Sequence, residues 1–248
     1  MPTPQEISAA AHEALSHANP LSVEQMELLA ALAAERRPRT ALEIGCGPGA
    51  FSVALARLTD IEVTALDINP RFLARAREAA ARKSLAGSVS FEERPASDHA
   101  GPPVDLVVCL GSSQAFGTPR EALKRAAGLL TPGGTVVFAE LVWAAPPPPA
   151  FLEFLGSPEN LYWAADGAKA AFAEAGLSIA EELRATRSSW DAYERAVLAG
   201  RLALEETLPP DEAKAVMTKA LGWFRAYERY GRECFGFSAY IATRRRPA

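Results

Sequence analysis

The sequence predicts an α/β fold built on a doubly wound, mostly parallel sheet, and three observations carry that expectation. A short strand at residues 41–44, apolar but for Glu43, runs into the turn Gly45-Cys46-Gly47-Pro48-Gly49 and then into a helix beginning near Ala50. A second apolar run, residues 61–66, ends in an acid, Asp67. Beyond it, short apolar segments alternate with amphipathic ones as far as residue 143. Strands and helices in alternation lay parallel strands side by side and cover both faces of the sheet.

The elements follow in order. Residues 5–18 read as a helix. Ser22 and Gln25 are spaced as a capping box ahead of Leu28, Leu29 and Leu32, and Pro38 closes that second helix. In the helix after the glycine turn, Phe51, Ala54, Leu55 and Leu58 line one face. Asn69 suits an N-cap with Pro70 at the first helical position, opening a helix to about Lys83. Residues 89–92 and 104–110 read as the third and fourth strands. Thr118 and Glu121 form a capping box for a helix to Leu130, Thr131-Pro132-Gly133-Gly134 reads as a tight turn, and residues 135–142 form a fifth strand.

Plain alternation then stops. The run Pro146 to Pro149 is a stiff linker, since proline neither donates to a ladder nor continues a helix. A short apolar piece at 151–155, the pair Tyr162-Trp163 and a helix around 166–175 lead to a sixth strand at 177–186. Residues 190–232 read as two helices joined at Leu208-Pro209-Pro210-Asp211, and 235–243 as a last strand. Three segments divide the chain: 1–37 as an N-terminal helical cap, 38–143 as the ligand-binding core, and 144–248 as completion of the sheet. A helical insertion at about 188–232 in the last segment, with residues 1–20 and 144–165, caps the substrate.

The glycine turn points to a nucleotide-type ligand. Glycines let the backbone approach a ligand with no Cβ between, and the helix behind them offers unpaired N–H groups. Asp67 suits a ribose diol. Gly45-x-Gly47-x-x-Ala50 also fits the dinucleotide fingerprint, so a nicotinamide-dependent oxidoreductase competes. Glu43, two residues before Gly45, favours a ligand with an ammonium group over a pyrophosphate. The string Glu43-x-Gly45-x-Gly47-x-Gly49 resembles motif I of the class I S-adenosylmethionine-dependent methyltransferases, and the piece from Gly133-Gly134 through Glu140 and Trp143 to Pro147 resembles a bacterial small-molecule subgroup of them. Ala65-Leu66-Asp67-Ile68 looks like their ribose motif, and Phe91 to Asp98 looks like their adenine-binding strand end. The resemblance covers roughly residues 38–143. It implies a Rossmann-like methyltransferase sheet whose last strand enters antiparallel between the fifth and sixth. It also implies S-adenosylmethionine held by Glu43, Gly45, Cys46, Gly47, Asp67, Ile68, Ser97, Asp98, Leu110 and Gly111.

Composition agrees. The chain has 248 residues, 49% of them hydrophobic, enough for one large core. A net charge of −4 argues against a dedicated nucleic-acid partner, and Arg244-Arg245-Arg246 reads as a solvated tail. Three cysteines, Cys46, Cys109 and Cys234, form no C-x-x-C pair and suit a reducing cytoplasm. No apolar run is long enough to span a membrane. His12 and His17 lack partners at metal-ligand spacing, so no metal is expected. His99 reads as an exposed loop residue.

Methyl transfer needs alignment, dryness and a base only where the nucleophile carries a proton. Groups after the fourth and fifth strands would face the methyl. Glu140, an acid late in an apolar strand, is the candidate catalytic group. Gln114, in a loop bounded by Gly111 and Gly117, and Trp143, Trp190, Tyr193 and Tyr227 are candidates for the substrate pocket. Aromatic walls suit a flat or apolar molecule or a cation, although rings at helical spacing also serve to pack helices. The expected function is methyl transfer to a small-molecule acceptor by a monomer or homodimer. An oxidoreductase and a non-catalytic S-adenosylmethionine-binding protein are the alternatives.

Overall fold

The computed structural model describes residues 2–85, 88–164 and 166–244. Two N-terminal helices, α1 (Pro4–Ala11) and α2 (Val23–Ala34), precede β1 (Thr40–Ile44), α3 (Ala50–Leu58), β2 (Glu62–Asp67), α4 (Pro70–Arg82) and β3 (Val89–Glu93). There follow β4 (Val104–Leu110), α5 (Pro119–Gly128), β5 (Leu130–Trp143), α6 (Pro149–Leu155), α7 (Ala168–Glu174) and β6 (Leu177–Arg184). The chain then forms α8 (Arg187–Leu202), α9 (Pro210–Ala226) and β7 (Phe235–Arg244). The seven strands make one sheet in the order β3-β2-β1-β4-β5-β7-β6. Strands β1 to β5 pair in parallel, whereas β7 is antiparallel to both β5 and β6. This is the doubly wound sheet with one reversed strand that the sequence predicted.

Local chemistry starts the helices. Ser22 and Gln25 form the expected reciprocal cap on α2, Asn69 caps α4 ahead of Pro70, and Thr118 with Glu121 caps α5. Thr3 and Glu6 do the same for α1. One apolar layer gathers Leu29, Phe51, Leu55, Leu73 and Ala76 of α2, α3 and α4 against β1 and β4. The other sets Leu123, Ala126 and Phe172 of α5 and α7 against Phe138 and Tyr240. Each fully buried Leu or Phe contributes on the order of 1.5–3 kcal/mol, so these layers hold the strand ends that carry the site.

Several expectations need correcting. The first helix stops at Ala11, and residues 12–22 form turns that cross the sheet's ligand-binding end. Leu58 is 54% exposed, because α3 ends there and turns its last apolar side chain outward. The turn at 131–134, with Gly133 at φ +83°, lies inside β5 and does not precede it. Val104 pairs with Leu130 and Leu106 with Thr135, so the extra residues are taken up between two ladder contacts. The sixth strand ends at Arg184. His99 is buried, its Nδ1 accepting from Arg94 at 3.1 Å. Arg244 donates to the Leu130 carbonyl at 2.5 Å, while Arg245 and Arg246 of the proposed tail lie outside the described residues. No helix among the described residues is long and apolar enough to cross a membrane.

Candidate functional site

A cavity of about 650 Å³ lies at the carboxyl ends of β1, β2 and β4, where ligands bind in open α/β sheets. The glycine turn makes its floor. Gly47 has φ +54°, and a Cβ there would find nothing nearer than Ala18 at 3.9 Å, so bare backbone faces the cavity. Gly49, at φ +80°, caps α3, and a Cβ on it would lie 2.7 Å from that of Ala76. The turn is therefore held against α4 at a distance only glycine permits.

Two carboxylates sit beside this backbone. Asp67, at the end of β2, accepts from the Gly47 N–H and the Asn69 N–H, both at 2.8 Å. Its pKa is raised by burial, and those N–H groups hold the rise back. Glu43 is buried near the end of β1 and accepts from the Ser52 hydroxyl of α3. Burial, with a smaller contribution from the Asp67 charge, pushes its pKa up to about 7. A cation in the cavity would relieve both groups, whereas a pyrophosphate would add to their repulsion. The free backbone at Gly47, the acceptor oxygens of Asp67 and the cation-seeking Glu43 together fit a ligand carrying a ribose and an ammonium group.

The remaining wall comes from β4 and the N-terminal segment. Leu110, Gly111 and Gln114 line the cavity, as do Gly45, Cys46 and Ile68. Ser112 binds the turn to β4, its hydroxyl donating to the Ile44 carbonyl at 2.5 Å. His12, His17 and Asn19 close the cavity from above, and none of these was singled out as a ligand contact from the sequence. The His12 ring donates from Nδ1 to the Ser8 carbonyl at 2.7 Å, so its Nε2 accepts from the Tyr193 hydroxyl of α8 at 2.9 Å. Arg75 of α4 donates to the carbonyls of His12 and Leu15. The N-terminal segment is thus tied to both α4 and α8, through contacts 60 or more residues apart that no local pattern reveals.

Not every predicted site residue comes together. Ser97 and Asp98 are exposed and bond to each other at 3.0 Å; Arg94, Pro95 and Ala96 line the cavity in their place. Trp143 is 6% exposed, stacked 5.2 Å from Phe235, with its indole N–H donated to the Glu159 carbonyl. Trp163 packs in the opposite apolar layer against Phe138 and Phe172. Tyr227 is buried, donating to Asp191 at 2.8 Å. Burial and the Asp191 carboxylate raise its pKa. Trp143 and Tyr227 therefore belong to an aromatic layer between β7 and the insertion helices, outside the cavity.

A second chamber of about 200 Å³ adjoins the first and shares Ala18, Asn19, Gly111 and Tyr193 with it. Glu140, Trp190, Glu194, Arg201 and Trp223 also line it. Glu140 is 5% exposed; its Oε1 accepts from the Leu141 N–H at 2.8 Å, and the Ser113 hydroxyl acts on the same carboxyl. Burial raises its pKa. Glu194 accepts from the indole N–H groups of Trp223 at 2.8 Å and Trp190 at 3.4 Å.

Known proteins match this architecture. A family model described as a methyltransferase domain matches residues 42–136. YjhP of Escherichia coli K12, described only as uncharacterised, is 26% identical over 92% of this chain and 93% of its own. The crystal structure of YjhP has a TM-score of 0.87 across 97% of this chain and 100% of that one. A SAM-dependent methyltransferase from Geobacter sulfurreducens, crystallised with S-adenosyl-L-homocysteine, is 25% identical over 99% of each chain with a TM-score of 0.88. Its counterpart from Thiobacillus denitrificans, also with S-adenosyl-L-homocysteine, is 26% identical over 99% of this chain and 100% of its own, with a TM-score of 0.86. Of the curated ribosomal-protein and ubiquinone methyltransferases it also matches, this chain spans half the length or less.

Proposed function

We propose that this chain, a class I S-adenosylmethionine-dependent methyltransferase, methylates a small-molecule acceptor held in the chamber beyond Gly111. The observation that carries this reading is the chamber itself, which adjoins the cofactor cavity and has the buried carboxyl of Glu140 in its wall. Bound S-adenosylmethionine supplies an electrophilic methyl on a sulfonium centre.

The chain's own residues then have separate tasks. We assign the ribose to Asp67 and Ile68, the ammonium to Glu43, and close backbone approach to Gly45, Cys46 and Gly47. Arg94, Pro95 and Ala96 take the adenine side, with Ser97 and Asp98 just beyond. Leu110, Gly111 and Gln114 border the region between cavity and chamber. Residues 1–22 exclude water, as the His12–Tyr193 bond and the Arg75 clamp support. The wider segments 1–37 and 144–248, with the insertion at about 188–232, act as caps around the 38–143 core. Trp190 and Tyr193 seat the acceptor, while Trp143 and Tyr227 support those walls from behind. Glu140 holds the acceptor's polar hydrogen and takes the proton where the nucleophile must lose one. Three buried free thiols suit a reducing cytoplasm, and the chain works as a monomer or homodimer.

Substituting Glu140→Gln keeps shape and removes the base. Turnover should fall about 100-fold or more, with S-adenosylhomocysteine affinity nearly unchanged by calorimetry. Loss of cofactor binding together with turnover would assign Glu140 to the cofactor and end its catalytic role.

A further inference from the structure

The acceptor chamber has a charge pattern that narrows the class of molecule it takes. Two buried carboxyls, Glu140 and Glu194, and one cation, Arg201, line it. Among the described residues Arg201 forms no ion pair with either acid, yet its charge acts on Glu194, and its Nε has no hydrogen-bond partner. The two tryptophans in the wall, Trp190 and Trp223, spend their indole N–H groups on Glu194. They therefore have no donor left for an anion, and they line the chamber as part of a stacked aromatic wall, Trp190 on Phe235 and Tyr227 and Trp223 on Phe235. Ring faces beside carboxyls attract organic cations and do nothing for carboxylates or phosphates. Phe237 extends the same apolar wall.

We propose that this chamber binds its methyl acceptor as a small organic ammonium ion, an inference that rests on the methyltransferase reading of the neighbouring cavity. Glu194, fixed by two indoles, supplies a stationary negative field. Glu140, held by the Leu141 N–H, accepts the ammonium N–H and takes that proton, so that the nitrogen has a lone pair for the methyl that S-adenosylmethionine would supply, with S-adenosylhomocysteine as the leaving group. The apolar substituents of the amine lie on Trp190 and Trp223. Arg201 is the only opposing charge in the wall, and it limits the site to one cationic centre.

The test uses the full chain saturated with S-adenosylhomocysteine and three probes that share a tert-butyl group: tert-butylammonium, tert-butanol and pivalate. Calorimetry should find tert-butylammonium bound about tenfold or more tighter than tert-butanol, and pivalate weakest. Equal affinity for cation and alcohol, preference for pivalate, or no binding of the cation would each overturn the proposal. Saturation with S-adenosylhomocysteine is measured first and separately. If it fails, the methyltransferase reading of the cavity fails; if it succeeds without cation preference, only the ammonium proposal fails. Arg201→Gln, which removes the opposing charge without touching either acid, should tighten tert-butylammonium severalfold. A weakening would overturn the proposal by showing that Arg201 helps hold the ligand.

Discussion

Glu43 is a buried carboxyl whose usual proton affinity is changed by where it sits. In the folded chain its pKa rises to about 7 from an ordinary 4.5, through burial first and then the charge of Asp67. The native state therefore binds more protons than the unfolded state between those two values. Stability without ligand should fall as pH rises through that window, then flatten above it. Urea denaturation at pH 5 and pH 8 checks this, and Glu43→Gln should reduce the difference, leaving the part owed to the other raised carboxyls such as Asp67. A bound ammonium would favour the ionised form, so cofactor binding near pH 6 should release a proton, seen as a buffer-dependent calorimetric heat. Asp67 accepts from the Gly47 and Asn69 N–H groups, and the proposed function gives the same carboxylate a ribose to hold. Asp67→Asn should weaken S-adenosylhomocysteine by about 1.5–3 kcal/mol and keep the fold, whereas Asp67→Ala should also destabilise the loop by leaving N–H groups unpaired. Unchanged affinity in Asp67→Asn would move the ribose elsewhere. Glu43, Asp67 and the glycines were legible because a strand, a turn and a helix fix them within one short stretch. His12, Asn19 and Arg75 were not, because their roles arise from segments that meet only in the folded chain.

At the scale of elements, the glycine turn joins β1 to α3 under tight steric limits. Gly49→Ala forces a side chain into a left-handed backbone and brings its Cβ against Ala76. The two costs together should destabilise by about 2–4 kcal/mol, measurable as a lower urea midpoint with an unchanged slope. A neutral substitution would mean α3 and α4 separate more easily than their packing indicates. Helix starts were read closely because Ser22, Asn69 and Thr118 announce themselves chemically. Ends were read less well. Residues 12–18 are as rich in alanine and histidine as a helix, yet Ala11 ends α1 and the chain turns over the cavity instead. Tertiary contacts outweigh propensity there. The tryptophans were misplaced for a related reason. Composition reveals aromatic segments, but only packing decides which rings face a cavity. Trp190 lines the chamber, while Trp143 lies behind it against Phe235.

The whole molecule is a sheet whose early strands carry the cofactor cavity and whose later elements wall the chamber next to it. Gly111, at the end of β4, borders both spaces, with Asn19 of the N-terminal segment and Tyr193 of the insertion beside it. The central claim is that the cofactor's sulfur sits at that border, facing Glu140 and the chamber. A crystal structure of the complex with S-adenosylhomocysteine measures this directly. The account predicts the ribose hydroxyls on Asp67, the amino group beside Glu43, and the sulfur next to Gly111 with an open line into the chamber. A ligand lying with its sulfur turned away from Gly111, or bound outside the cavity, would contradict it.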